Sequence, residues 1–194
     1  MNIKRFSITI FVLVSAIALG YFVKLQNTVE KDIKAQYLKG GPFELSNEGS
    51  VFNLEDLQGT PVILYFGFLN CPDICPVGLA VIRDTLNYDP EFKDVKSLFV
   101  TLDPERDNSE KLKEYTAFFH SNIIGLTGSM KEIKIVASNY GTAFRKAPQS
   151  LKQDNYSIDH TAYFYIIDKD GDLIRVMDHD SKPEALSEII KKLL

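Results

Sequence analysis

Cysteine and histidine are scarce in this chain: two cysteines and three histidines serve 194 residues. The sequence therefore closes at most one internal disulfide, between Cys71 and Cys75. No cysteine follows the N-terminal apolar run until Cys71, which excludes a lipid-modified cysteine at the end of that run. Low-complexity tracts, internal repeats and a collagen-like composition are absent, and 45% hydrophobic with 25% charged residues is ordinary for a globular protein. Positive charge is short beyond the N-terminus. The first 24 residues carry Lys4, Arg5 and Lys24 and no acid, so the remainder holds 19 basic against 26 acidic residues, or −7. An acidic domain is a poor match for phosphate backbones, and no nucleic-acid partner is expected. The acidity suits a basic protein partner.

What is present begins with a run of 18 residues, Phe6 to Val23, free of charge and proline and flanked by Lys4, Arg5 and Lys24. At about 1.5 Å per residue it just crosses a hydrocarbon core of about 30 Å. One reading is an uncleaved membrane anchor over residues 1–24. The other is a cleaved export signal, with small residues at Ala16-Ile17-Ala18 or Ala18-Leu19-Gly20. The run exceeds the roughly 7–15 residues of a signal core, which favours the anchor. Positive charge stays inside, so both readings export the rest of the chain. The expected location is the inner (cytoplasmic) membrane, single-pass, with the domain on the periplasmic side. Residues 25–40 read as a linker ending at Gly40-Gly41-Pro42, and residues 41–194 as one domain.

Within that domain, Phe43 to Asn53 reads as a small N-terminal hairpin. Pro61 to Phe66 is a continuous apolar run, as a strand buried on both faces would be. Val77 to Leu86 has helical spacing, and Lys96 to Leu102 reads as a second buried strand. Asn108 or Ser109 starts a helix to about Phe119, and Ser129 starts another to about Ser138. Ile123 to Leu126 is a short strand between them. His160 to Ile167 reads as one strand, turned by Lys169-Asp170-Gly171 into Leu173 to Met177. Pro183 opens a closing helix. Alternating strands and helices imply an α/β fold with a parallel core sheet, and the late hairpin makes that sheet mixed. Gly141 to Ile158 shows little periodicity and is long for a plain connector, which suggests a functional loop.

The strand-like run leads straight into Cys71-Pro72-Asp73-Ile74-Cys75-Pro76. A cysteine pair in an exported chain suggests a disulfide first. If residues 71–75 form a helical turn, however, the Cβ atoms lie about 5–6 Å apart. A disulfide prefers about 3.8 Å, whereas one metal spans the wider gap with bonds of about 2.3 Å to each sulfur. Two thiolates are soft donors that select Cu(I) and also accept zinc. A third donor is needed, and His160, at the start of a core strand, is the best placed. If that strand runs antiparallel to the one before the cysteines, its start lies beside their end. Asp159 is the candidate to orient or tune the site from outside the ligand set. His120 ends a helix and would complement its dipole, and His179, between Asp178 and Asp180, reads as a turn residue.

These residues resemble the Sco/SenC copper proteins. The likeness rests on Tyr65-Phe66-Gly67-Phe68 with the Cys71–Pro76 motif, on Thr101-Leu102-Asp103-Pro104-Glu105-Arg106-Asp107, and on Asp159-His160-Thr161, and it covers about residues 41–194. It implies a thioredoxin-like fold with copper, Cu(I) or Cu(II), held by Cys71, Cys75 and His160. It also implies a role in building the dinuclear copper centre of cytochrome c oxidase, by copper delivery, by thiol reduction of the acceptor, or by both. The partners so implied are the copper-centre subunit of the oxidase, other copper chaperones and thioredoxin-like reductants. In the Thr101–Asp107 motif, Asp103 or Arg106 either faces the site or makes an internal ion pair.

Other functions use the same sulfurs. A thiol–disulfide oxidoreductase would cycle a Cys71–Cys75 disulfide. The usual redox spacing is one residue shorter, and Asp159-His160 stands where thioredoxin relatives place a proline. A thiol peroxidase and a copper-responsive sensor complete the alternatives.

Overall fold

The computed structural model describes residues 20–21, 39–148 and 156–194. The expected anchor, most of the linker and seven residues of the long loop lie outside the described residues. Among the described residues no helix is long and apolar enough to cross a membrane.

Among the described residues from 39 onward, nine strands and four α-helices keep the expected order, with some moved ends and with a small added pair, β6 and β7, before the late hairpin. Strands β1 (Glu44–Asn47) and β2 (Ser50–Asn53) make the N-terminal hairpin. After a 3-10 turn come β3 (Val62–Gly67), α1 (Ile74–Leu86) and β4 (Lys96–Thr101). Then follow α2 (Ser109–Phe119), β5 (Ile123–Leu126) and α3 (Met130–Asn139). The chain ends with β6 (Phe144–Lys146), β7 (Ile158–His160), β8 (Tyr163–Ile167), β9 (Leu173–Asp178) and α4 (Pro183–Lys191). The main sheet has the order β5-β4-β3-β8-β9. Strands β3, β4 and β5 are parallel, and β8 and β9 are antiparallel additions. This is the expected mixed α/β sheet.

Strand β3 sits at the centre with all six residues buried. Its side chains alternate between two cores, as strand geometry requires. Val62, Leu64 and Phe66 join the core under α3 and the hairpin, with Leu98, Val100, Ile133 and Tyr140. Ile63 and Tyr65 join the core under α1, α2 and α4, with Leu79, Ile82, Leu112 and Leu186. The sheet is thus covered on both faces, which explains why β3 reads as a continuous apolar run. Helix starts follow the expected caps. The Asn108 side chain accepts from the Lys111 amide at 2.9 Å, and Ser129 and Glu132 make a reciprocal capping box.

Two boundaries moved, and both matter for the site. Helix α1 starts at Ile74, three residues before the expected Val77. Pro76 is accommodated in its first turn, where a backbone N–H has no intrahelical partner to lose. The expected strand from His160 to Ile167 is divided. His160 ends β7, which pairs with β6 in a separate two-stranded sheet, Phe144 opposite His160. The core strand β8 starts only at Tyr163. Thr161 makes the break: its amide donates to Ala143 O at 3.0 Å and its hydroxyl accepts from Ala143 N at 3.1 Å. The backbone here is therefore tied to the β6 side rather than to β3. Strand β6 lies within the stretch expected to be a loop without regular structure.

Candidate metal centre

Strand β3 delivers the chain to the first turn of α1, and both cysteines sit at that junction. Gly67, the last residue of β3, allows the close approach. A Cβ there would fall 2.9 Å from Cys75 Sγ and 2.7 Å from Phe99 Cε2. Cys75 is fully buried, whereas Cys71 is half-buried. Cys75 occupies the first helical turn, so its N–H is one of the helix's unpaired donors. It donates to Cys71 Sγ at 3.4 Å.

From the other side, β8 runs antiparallel to β3, with Tyr65 opposite Phe164. The chain just before β8 therefore lies beside the end of β3, and His160 reaches the thiols from there. Its Nε2 is 3.6 Å from Cys75 Sγ, and its ring meets buried Phe68 edge-on at 5.9 Å. Its Nδ1 is 3.0 Å from Thr161 O. A carbonyl oxygen only accepts, so Nδ1 carries the proton and Nε2 turns its lone pair to the sulfurs. The two sulfurs and a ring nitrogen of His160 all lie within 4.8 Å of one another.

The two thiols are not equivalent. The hydrogen bond from the Cys75 thiol, followed by those from the Asp73 and Cys75 backbone amides, pushes the Cys71 pKa down to about 4. The same bond to Cys71, together with burial, pushes Cys75 up. The two thiols therefore titrate as a coupled pair, with Cys71 the readier of the two to lose its proton.

The donor set suits a soft metal ion. With bonds of about 2.3 Å to sulfur and 2.0 Å to nitrogen, a trigonal ion holds those atoms about 3.7 Å apart. The observed Cys75–His160 spacing of 3.6 Å matches that value. Both cysteines are free thiols in this structure.

The neighbouring motif follows one of the two readings open for it. Asp103 pairs with Arg106 inside the loop, so the internal ion pair holds. Asp107, which sequence reasoning passed over, is the residue that touches the cysteine loop. It is 2% exposed, and its Oδ2 accepts from Leu69 N at 3.0 Å and from Thr101 Oγ1 at 2.6 Å. Burial raises its pKa. Its place at the end of β4, beside the end of β3, was the available clue, because α/β sheets put their sites there.

Asp159 stands elsewhere than expected. Neighbours on a strand face opposite ways; Asp159 turns from His160 and pairs with Arg145 at 3.2 Å. Thr161 O takes the orienting place. His120 ends α2 but accepts from Asn122 N through Nδ1 at 3.0 Å, and burial followed by Lys96 lowers its pKa. It is an acceptor there rather than a cation on the helix dipole. His179 lies in a turn after β9, as expected.

A five-stranded mixed sheet with a Cys-x-x-x-Cys turn at a strand–helix junction and a histidine facing it defines a thioredoxin-like domain with a soft-metal thiol site. The family model described as SCO1/SenC matches residues 31–194, and the chain belongs to the SCO1/SenC family. It is 34% identical over 199 residues to an SCO2-like protein of Rickettsia felis, covering 98% of this chain and 97% of that protein. Among solved structures it is similar to Bradyrhizobium japonicum ScoI with copper bound. The TM-score is 0.72 and the identity 33%, over 80% of this chain and 99% of that one. It is also similar to BsSco, described as having a disulfide switch and as a member of the Sco family of cytochrome c oxidase assembly proteins. There the TM-score is 0.65 and the identity 26%, over 80% of this chain and 93% of that one.

Proposed function

We propose that this protein binds copper through Cys71, Cys75 and His160 and supplies it to the copper-centre subunit of cytochrome c oxidase during assembly. Copper is here the cargo. The observation that carries the reading is the convergence of two cysteine sulfurs and one imidazole nitrogen within 4.8 Å in a chain of the SCO1/SenC family. The half-buried Cys71 sulfur is the group an acceptor ligand can approach, while buried Cys75 retains the ion until exchange. The apolar run Phe6–Val23 anchors the chain in the inner membrane, and residues 41–194 work on the periplasmic side, where the acceptor domain is exposed.

A second reading is favoured by the inequality of the thiols. The Cys71 thiolate attacks an acceptor disulfide, forming a mixed disulfide and releasing one acceptor thiolate. Cys75 then gives up its proton and displaces the second acceptor sulfur. Two electrons pass to the acceptor, and Cys71 and Cys75 become a disulfide. Oxidised this way, the pair no longer holds copper, and a thioredoxin-like reductant would restore it.

Copper titration against a chelator of known affinity tests the primary reading, using the reduced full-length protein and its Cys71→Ser, Cys75→Ser and His160→Ala variants. One tight site is expected, weakened at least about 100-fold (2.7 kcal/mol) by each substitution. Equal affinity in wild type and His160→Ala would remove His160 from the site. Rapid turnover of a model disulfide by copper-free protein, without copper transfer to an acceptor, would favour the second reading.

A further inference from the structure

His160 reaches the thiols from an arm rather than from the main sheet. Among the described residues, strands β6 and β7 pair with each other and with no other strand, so the sheet ladder that fixes β3 and α1 does not extend to His160. The arm needs another attachment, and Tyr156 is placed to give it. Four residues before His160, its hydroxyl donates to Asp103 Oδ1 at 2.6 Å. The Arg106 guanidinium stacks on its ring, 3.6 Å from the centroid. The Arg106 Nη1 and Nη2 atoms are buried with no hydrogen-bond partner. The π-face of Tyr156 is what covers that guanidinium.

The contact continues to the cysteines. The Asp103 amide donates to Thr101 Oγ1 at 2.9 Å. That hydroxyl donates to Asp107 Oδ2 at 2.6 Å, and the same oxygen accepts from Leu69 N at 3.0 Å. Leu69 lies two residues before Cys71. An unbroken chain of short polar contacts, Tyr156–Asp103–Thr101–Asp107–Leu69, therefore links the arm bearing His160 to the loop bearing Cys71. Asp103 and Asp107, its two carboxylates, are 1% and 2% exposed. Buried, fully used polar groups of this kind fix geometry in a way apolar packing does not.

We infer that Tyr156 is a positioning residue of the metal site: its hydrogen bond to Asp103 holds the β6–β7 arm so that His160 Nε2 stays within bonding range of the same ion as the two sulfurs. Tyr156 packs against the cluster of Phe68, Cys75 and Ile158, and the hydroxyl's effect on the site runs through His160. A Tyr156 that merely fills space beside Phe68 and Ile158 would tolerate loss of the hydroxyl.

The inference rests on the copper reading for its effect on affinity, but its structural content is tested without metal. Tyr156→Phe removes one oxygen and keeps the ring under Arg106, so the fold is preserved and is checked by its melting transition. In the reduced, copper-free full-length protein, diethyl pyrocarbonate modification is followed residue by residue by mass spectrometry. His160 in Tyr156→Phe should react several-fold faster than in wild type, with His179 unchanged as internal reference. Copper affinity should fall roughly tenfold, the usual effect of removing an orienting partner outside the ligand set. In a His160→Ala background the same substitution should change affinity no further. Unchanged His160 reactivity overturns the inference, and so does an affinity loss that persists in the His160→Ala background. If His160→Ala binds copper as tightly as wild type, the copper reading fails on its own account, and the modification rates alone decide the role of Tyr156.

Discussion

Cys75 Sγ and His160 Nε2 lie 3.6 Å apart across 85 residues of chain. Neither element that carries them belongs to the other's sheet. Cys75 is fixed by β3 and the first turn of α1, and His160 by the β6–β7 arm. Their meeting depends on the antiparallel pairing of β8 with β3, which returns the chain to the end of β3. The site is a seam between two substructures, and each substitution below loads one side of it.

The inequality of the thiols sets the pH dependence of copper binding. With Cys71 pushed down to about 4 and Cys75 pushed up, metal binding at neutral pH displaces the Cys75 proton and finds Cys71 already a thiolate. Protons compete with the ion, so affinity falls as pH falls. The thiols contribute about one proton per copper, or roughly tenfold in affinity per pH unit, between about pH 5 and 8. Below about pH 4 the Cys71 proton joins and the slope steepens. Chelator competition at several pH values, with proton release measured in weak buffer, checks this. A flat affinity across that window would contradict the thiolate site.

Gly67→Ala should be damaging although alanine adds one carbon. Its Cβ would meet Cys75 Sγ at 2.9 Å and Phe99 Cε2 at 2.7 Å, both in the core. Overpacking of this kind costs about 1–3 kcal/mol. A melting temperature lower by several degrees and weaker copper binding are expected, because the sulfur itself must shift. Thermal unfolding and copper titration of the same sample measure both; a variant as stable as wild type would show that the end of β3 yields freely.

Asp107→Ala leaves the buried Thr101 hydroxyl and the part-buried Leu69 amide without their acceptor. Unmet buried donors cost about 1–3 kcal/mol each. Denaturant unfolding should show a loss of at least about 2 kcal/mol, and the loop before Cys71 should gain hydrogen exchange at Leu69 ahead of β3. Protection of the Leu69 amide equal to wild type would refute the clamp.

Much of the fold was legible because its signals are local. The caps at Asn108 and Ser129, the apolar runs of β3 and β4 and the hairpin turn each follow from a few adjacent residues. Two features resisted. The start of α1 was hidden because Pro72 and Pro76 read as loop residues, yet a proline in a first helical turn loses no hydrogen bond. The break after His160 was hidden because apolar periodicity continues across it, while Thr161 ties its backbone to Ala143, 18 positions earlier. Asp159 was misjudged for a related reason: sequence adjacency to His160 suggested contact, but strand alternation turned it to Arg145.

By itself the sequence determined the class of chemistry: two soft donors four residues apart, a third donor among three histidines, and motifs that resemble the Sco/SenC family. Those are properties of residue identity and short spacing, which the chain carries into any conformation. Tertiary structure decided that His160 reaches the thiols from outside the main sheet, which cysteine loses its proton more readily, and that Asp107 holds the loop before Cys71. Each of these depends on distance and burial across segments far apart in the chain. Hydrogen bonds and desolvation act over a few ångströms of space, and only the packed sheet brings Tyr156, Asp103, Leu69 and His160 within that range.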